Sequence, residues 1–282
     1  MLPRRKMIEL SASALLASGL WPGRLAAEEN GLGDSNWTFL AINDLHYLTE
    51  ECGAFFTEIV AAMKASAPAA EFCLLGGDQA DDGASGHLGA VKDIFSKLNI
   101  PIYATPGNHD YLLENDRADR AAYDKVFAGH LNHSFEHRGW QIVGLDTTEG
   151  THYHDTSIQA ETFAWLRDHL PKLDRAKPTI LYTHFPLGAE VKYRPKNADD
   201  LLGMFRDYNL QAVLNGHYHA YTERTAGAVT ITTDRCCSRV RFNHDGSTQK
   251  GWFVCTAKEG KIQRRFVEIP EGLRNAEAVV EK

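Results

Sequence analysis

Short apolar runs alternate with stretches of helical periodicity through the first third of the chain. Asn36 to Ile42 reads as a strand and ends in Asn43-Asp44-Leu45-His46. From Ala54 to Ala65, Phe55, Phe56, Ile59, Val60 and Met63 recur at the spacing of one helical face, and Pro68 helps to end the segment. Phe72-Cys73-Leu74-Leu75 predicts a second strand, broken by Gly76-Gly77-Asp78. His87 to Leu98 repeats the helical pattern with Leu88, Val91, Ile94, Phe95 and Leu98. His87 at its start reads as a polar surface residue. Ile102-Tyr103-Ala104 then leads into a Pro-Gly turn, Thr105-Pro106-Gly107-Asn108-His109-Asp110. The result is a β-α-β-α-β series. Loops beyond the carboxyl ends of such strands converge, so residues 44, 78 and 108 are expected to meet.

The pattern continues with less regularity. Asp116 to Phe127 predicts a helix. Ser134 to Asp146 alternates about Arg138-Gly139 and predicts a hairpin. Thr148 to Thr156 is a polar loop, read as such rather than as a substrate element despite His152 and His154. A helix is expected over Ile158 to Leu170, a strand over Thr179 to Tyr182 ending at His184, and a helix over Ala198 to Tyr208. Ala212-Val213-Leu214 delivers Asn215-Gly216-His217-Tyr218-His219. The short runs 228–232, 252–256 and 264–269 predict a second, antiparallel sheet, and residues 271–282 a polar tail.

The first 27 residues differ in kind. Arg4-Arg5-Lys6 precede a short apolar stretch, Leu10 to Trp21, and a small-residue ending, Leu25-Ala26-Ala27. That is the layout of an export signal, too short and too rich in Ser and Gly for a stable membrane span. The paired arginines point to the twin-arginine route, although Pro3, Met7 and Glu9 depart from its usual pattern. An ordinary secretory signal or an uncleaved amphipathic tail is the alternative. The expected location is the periplasm or the exterior.

The 282 residues are 43% hydrophobic and 24% charged, which suits one globular domain, placed at 36–270. The formal charge is -7 and becomes -10 once residues 1–27 are removed. An acidic chain argues against an extended nucleic-acid surface and leaves room for a small phosphate ester held by cations. Five cysteines, Cys52, Cys73, Cys236, Cys237 and Cys255, include no Cys-x-x-Cys pair, so a thiolate zinc site is not expected. The strand ends instead collect carboxylates, one Asn and imidazoles, donors that suit first-row divalent or trivalent metals.

Five stretches share this design: Asp44-Leu45-His46, Gly77-Asp78-Gln79-Ala80-Asp81, Gly107-Asn108-His109-Asp110, His184 and Gly216-His217-Tyr218-His219. In type and order they resemble the five-part signature of the calcineurin-like metallophosphoesterases, and they span about 62% of the chain. The resemblance implies an α/β fold, a β-sandwich of two mixed sheets flanked by helices and built from β-α-β units. It implies two metal ions, of Mn, Fe, Zn or Co. One would be held by Asp44, His46, Asp78 and His219, the other by Asp78, Asn108, His184 and His217, with Asp78 shared. His109 would protonate the leaving oxygen and Asp81 would orient it, with Asp110 supporting the loop. The substrate would be a small phosphate ester.

Departures from the pattern narrow that substrate. Protein phosphatases of this resemblance carry Arg directly after the residue matching Asp81; here Asp82 stands there, which disfavours a dianionic monoester. Purple acid phosphatases carry a Tyr where Asp81 stands. The compact core looks more like the small bacterial phosphodiesterases that act on cyclic nucleotides or glycerophosphodiesters. A phosphomonoesterase or nuclease of the same fold, and a non-catalytic module such as the retromer subunit of this family, are the competing readings.

Overall fold

The structure, a computed structural model, describes residues 36–274. The leader at 1–27 and the end of the expected tail lie outside the described residues. Two sheets face each other. The first has strand order β13-β12-β1-β2-β3, built from β1 (Trp37–Ile42), β2 (Ala70–Gly76), β3 (Ile102–Thr105), β12 (Gly251–Lys258) and β13 (Lys261–Glu268). The second has order β10-β11-β9-β8-β7-β6, built from β6 (His133–His137), β7 (Trp140–Leu145), β8 (Thr179–Thr183), β9 (Leu210–Asn215), β10 (Thr222–Ala226) and β11 (Val229–Thr233).

Strand alternation explains why both faces of each sheet are covered. On β1, Trp37, Phe39 and Ala41 point between the sheets, where they meet Phe72, Trp140, Ile142, Ile180, Tyr182 and Phe253. Leu40 and Ile42 point the other way, onto α1 (Glu50–Ser66) and α2 (Ser85–Ser96), which supply Phe56, Ile59, Met63, Val91 and Phe95. Burial on both faces makes β1 and β2 near-continuous apolar runs. Phe39 and Phe72 stack at 5.0 Å between ring centroids. Each such ring stabilises the fold by about 1.5–3 kcal/mol of burial. A third cluster packs Val143, Leu181, Val213 and Ile231 of the second sheet against Leu166 of α4 (Ala160–His169) and Leu201 of α5 (Ala198–Met204).

Two expectations are corrected. The last strands do not form a sheet of their own. β11 runs parallel to β9 in the second sheet, while the β12–β13 hairpin pairs antiparallel with β1 in the first. The β12 side chains Phe253 and Cys255 fill the inter-sheet core, and Trp252 and Val254 fill the helix side. The hairpin therefore covers an edge that β1 would otherwise expose. The helix expected over 116–127 is also shorter. A small hairpin, β4 (Leu112–Glu114) with β5 (Arg117–Asp119), precedes a brief helix α3 (Ala121–Val126). Asn115 and Asp116 take φ of 50° and 59°, the left-handed pair of a tight hairpin turn.

β1, β2 and β3 are parallel, as are β7, β8 and β9. The loops leaving β1, β2, β3, β8 and β9 carry the five sequence stretches named above.

Candidate metal centre

Those loops bring Asp44, His46, Asp78 and His219 into one group of ligand atoms, and Asp78, His184 and His217 into a second. Asp78 belongs to both. All six are buried. Their backbones are unusual: Asp44, His46, Asp78, His217 and His219 take φ of 53°, 49°, 53°, 65° and 46°. Left-handed backbone costs a residue with a side chain roughly 1–2 kcal/mol, so the five together cost on the order of 5–10 kcal/mol. That is comparable with the whole stability of a domain, and other contacts must offset it. Part of the offset is a short ladder between the first two loops. Asp44 N–H donates to the Gly77 carbonyl at 3.1 Å, and the N–H groups of Leu45 and His46 both donate to the Asp78 carbonyl at 2.9 Å.

Glycine sets how closely the loops approach. Gly107 has an ordinary extended backbone, yet a Cβ there would strike the Asp78 carboxylate and amide. A Cβ on Gly216 would strike the Asp44 carboxylate. Both glycines are required by space, not by torsion.

Each cluster imidazole is oriented by an acceptor on its outer nitrogen. His46 Nδ1 donates to Asp81 Oδ1 at 2.8 Å, His184 Nδ1 to the Gly76 carbonyl at 3.0 Å, His217 Nε2 to the Tyr153 carbonyl at 2.8 Å, and His219 Nδ1 to the Phe242 carbonyl at 3.0 Å. A carbonyl has no proton to give, so the ring must donate, and in the neutral ring the other nitrogen is a bare acceptor. Those inner nitrogens face each other in pairs. His46 Nε2 lies 3.1 Å from His219 Nε2, and His217 Nδ1 lies 3.2 Å from His184 Nε2. Asp78 Oδ2 stands between the pairs, 3.5 Å from His46 Nε2 and 3.3 Å from His184 Nε2. Facing lone pairs repel unless a proton or a cation lies between them. Asn108 Oδ1 is also buried with no hydrogen-bond partner among the described residues. Buried acceptors without donors, arranged around a shared carboxylate, fit metal ions.

The titration of these groups agrees. Burial pulls His46 down to about 4 and His217 down to about 3. Burial opposes the charge on His184 as well, but the Asp78 and Asp44 carboxylates outweigh it and push that imidazole up to about 9. His219 is raised by Asp44 against the same burial. Without metal, protons on His184 and His219 occupy the positions where cations fit. A group whose folded pKa exceeds its unfolded value of about 6.5 stabilises fully below that pH and loses its contribution as pH rises through the folded value. The melting temperature of chelator-treated protein is therefore expected to fall from pH 7 to 9, while that of metal-loaded protein does not. Parallel melts in EDTA and in Mn(II) check this.

His109 lies at the edge of the cluster. Its N–H donates to Asp78 Oδ1 at 2.9 Å, and its Nδ1 donates to the Asp81 carbonyl at 2.8 Å. The Asp81 carboxylate, expected to orient His109, is 4.0 Å from that ring and turns elsewhere. It accepts from His46 Nδ1 and forms a bidentate pair with Arg241, Nε to Oδ1 at 2.7 Å and Nη2 to Oδ2 at 3.0 Å. Asp81 thus holds His46 through its side chain and His109 through its backbone. Removing a carboxylate that orients a metal-binding imidazole typically costs 10–100-fold in affinity. Asp81→Ala is expected to weaken metal retention by that factor, read by competition with a chelator. Asp110 ties two loops together, accepting from Ala80 N–H at 2.9 Å and Gly107 N–H at 2.8 Å.

A cavity of about 790 Å³ opens over the cluster. Its lining includes His46, Asp78, Asp81, His109, His217 and His219, joined by Leu48, Tyr153, Lys192, Tyr193, Arg241 and His244. Asp82, the residue read as repelling a dianion, is not among the described residues that line it. Its carboxylate accepts from Ala84 N–H at 3.1 Å and pairs with His87 Nδ1 at 2.9 Å at the start of α2. The structure thus removes the charge argument drawn from Asp82. His152 and His154 are exposed, but Tyr153 between them reaches the site through its carbonyl and is part of the cavity lining. Neither Tyr153 nor Arg241 carried a local signal in the sequence. All five cysteines are buried free thiols.

The calcineurin-like phosphoesterase pattern matches residues 38–221, which is 184 of 282 positions. The chain is 26% identical over 176 residues to a probable glycerophosphodiester phosphodiesterase of Arcobacter nitrofigilis, covering 59% of this chain and 63% of that one. It is 24% identical over 194 residues to a 3',5'-cyclic-nucleotide phosphodiesterase of Nostoc sp., covering 63% and 70%. Among solved structures, a purple acid phosphatase from yellow lupin superposes with a TM-score of 0.61 at 14% identity, over 86% of this chain and 53% of that one. The anchor protein of the inner membrane complex of Plasmodium superposes with a TM-score of 0.57 at 15% identity, over 84% and 86%. An enzyme and an anchor share the fold, so the fold alone does not decide activity. Strand order, loop placement and the matched span agree in one respect: the chain belongs to the calcineurin-like phosphoesterase family.

Proposed function

We propose that the protein is an exported, metal-dependent phosphoesterase that hydrolyses a small phosphodiester of the cyclic-nucleotide or glycerophosphodiester kind. The observation that carries this reading is the pairing of inward-facing imidazole nitrogens about Asp78 Oδ2 beneath an open cavity. Asp44, His46, Asp78 and His219 would hold one cation, and Asp78, Asn108, His184 and His217 a second. Bound cations supply Lewis-acid chemistry there, lowering the pKa of water and neutralising charge on the phosphoryl group. The residues around them do the rest. The outer-nitrogen hydrogen bonds of the four imidazoles fix their tautomers. His109, with Nδ1 committed to the Asp81 carbonyl, leaves Nε2 free; in its doubly protonated form the ring would give the Nε2 proton to the leaving oxygen and return to the neutral imidazole. Diester preference is supported by the names of the two phosphodiesterase relatives. Export is supported by the basic, apolar and small-residue layout of residues 1–27.

The test compares a chromogenic phosphodiester with its monoester analogue, using protein stripped of metal and then supplied with Mn(II). Metal-restored turnover favouring the diester is expected. Monoester preference would reassign the protein as a phosphatase. Absence of turnover on both, with metal bound, would remove the general hydrolase reading.

A further inference from the structure

One wall of the cavity is aromatic, and its main residue is held in a costly conformation. Tyr193 has φ of 67°, a left-handed backbone that a bulky residue rarely adopts. Its neighbours clamp it there. Val191 and Pro195 are buried on either side, and Arg194 N–H donates to the Val191 carbonyl at 3.3 Å. Arg194 Nε donates to the Leu187 carbonyl at 2.9 Å, while its guanidinium pairs with Asp199. Backbone strain kept in place by so many contacts concentrates at ligand clamps. Here it directs a phenol ring to the metal centre: the Tyr193 ring lies 5.2 Å from the ring of His217, at 72°. Tyr153 also lines the cavity, with its carbonyl anchored by His217 and the residue 55% exposed.

Charge at this wall selects among flat and cationic ligands. Lys192 Nζ sits 4.6 Å from the centroid of the Tyr193 ring and also lines the cavity. An aromatic wall without that ammonium would suit a quaternary ammonium group. With it, a trimethylammonium would be repelled, while an anionic phosphoester would be attracted. A neutral planar ring can use the aromatic surface without opposing the lysine.

We infer that Tyr193, in a cavity that Tyr153 also lines, is a stacking platform, so the phosphodiester accepted at this centre carries a nucleobase or aryl group rather than a choline-like cation. The inference rests on the phosphodiesterase reading for its chemistry but not for its binding. Tyr193 is a specificity-determining residue here and takes no part in bond breaking.

The experiment measures metal-loaded wild type, Tyr193→Ala and Tyr193→Phe with cyclic AMP and with glycerophosphocholine. Stacking of a base on an aromatic side chain is worth about tenfold or more in binding. Tyr193→Ala should raise KM for cyclic AMP by at least about that factor with kcat retained, leave KM for glycerophosphocholine nearly unchanged, and be rescued by Tyr193→Phe. Equal changes on both substrates, or a fall in kcat on both, would overturn the inference and leave Tyr193 a structural residue. Calorimetry with AMP and ribose 5-phosphate separates the two proposals. Tighter binding of AMP that depends on Tyr193 upholds the platform even if no diester is hydrolysed. Diester turnover with no difference between the two ligands removes the platform and leaves the phosphodiesterase reading standing.

Discussion

Asp78→Asn is expected to lower kcat by about four orders of magnitude, roughly 5 kcal/mol of transition-state stabilisation, and to lower bound metal in the same preparation. The substitution keeps the shape of the side chain. It also keeps an oxygen to accept from the His109 N–H, now 2.9 Å from Asp78 Oδ1. What it removes is the charge on the oxygen that stands between the two imidazole pairs, 3.5 Å from His46 Nε2 and 3.3 Å from His184 Nε2. Two divalent cations held in these adjoining ligand groups would repel each other strongly, because the Coulomb energy scales with the product of the charges. A shared carboxylate is the group that offsets such repulsion, and Asp78 is the one residue common to both ligand groups. Elemental analysis and turnover on the same sample check the expectation. Full metal content with a tenth or more of the activity would show that Asp78 does not act as the shared ligand.

His109→Ala is expected to cost about a thousandfold in kcat on substrates with alkoxide leaving groups, with metal content unchanged. The ring is fixed at the cavity by its Nδ1 bond to the Asp81 carbonyl, so Nε2 is the nitrogen left to release a proton when the ring is doubly protonated. An alkoxide needs that proton as it leaves; a nitrophenolate leaves readily without it. The loss should therefore shrink to about tenfold on a nitrophenyl diester. Measuring kcat for both leaving groups in wild type and variant gives the decisive ratio. An equal loss on the two would mean that His109 binds the substrate rather than protonating it, and loss of metal would place it in the ligand framework.

Much of the architecture could be read locally. The period of Phe55, Ile59 and Met63 marks α1, and the apolar run Phe72–Leu75 marks β2, because burial of one face or of both imposes its own spacing on the chain. The helix expected after Asp116 failed for an equally local reason: Asn115-Asp116 is a hairpin turn, and that signal outweighs the weak periodicity beyond it. The terminal strands failed for a non-local one. Nothing in residues 251–268 states that β1 offers an unpaired edge; pairing partners are chosen in three dimensions.

The sequence by itself determined the family resemblance and the chemistry of the strand-end loops, because carboxylate, amide and imidazole are properties of residue type and their order is covalent. The tertiary structure decided how those groups are used. It selected which nitrogen of each imidazole faces inward, since the acceptors Gly76, Tyr153 and Phe242 lie 108, 64 and 23 residues from their partners. It turned Asp81 toward His46 and Arg241, the latter 160 residues away, and set Asp82 against His87 at the helix start. It also put five cluster residues into left-handed backbone that no local preference would choose. Hydrogen-bond direction and backbone strain follow from which loops meet, and loops meet only when the two sheets have packed.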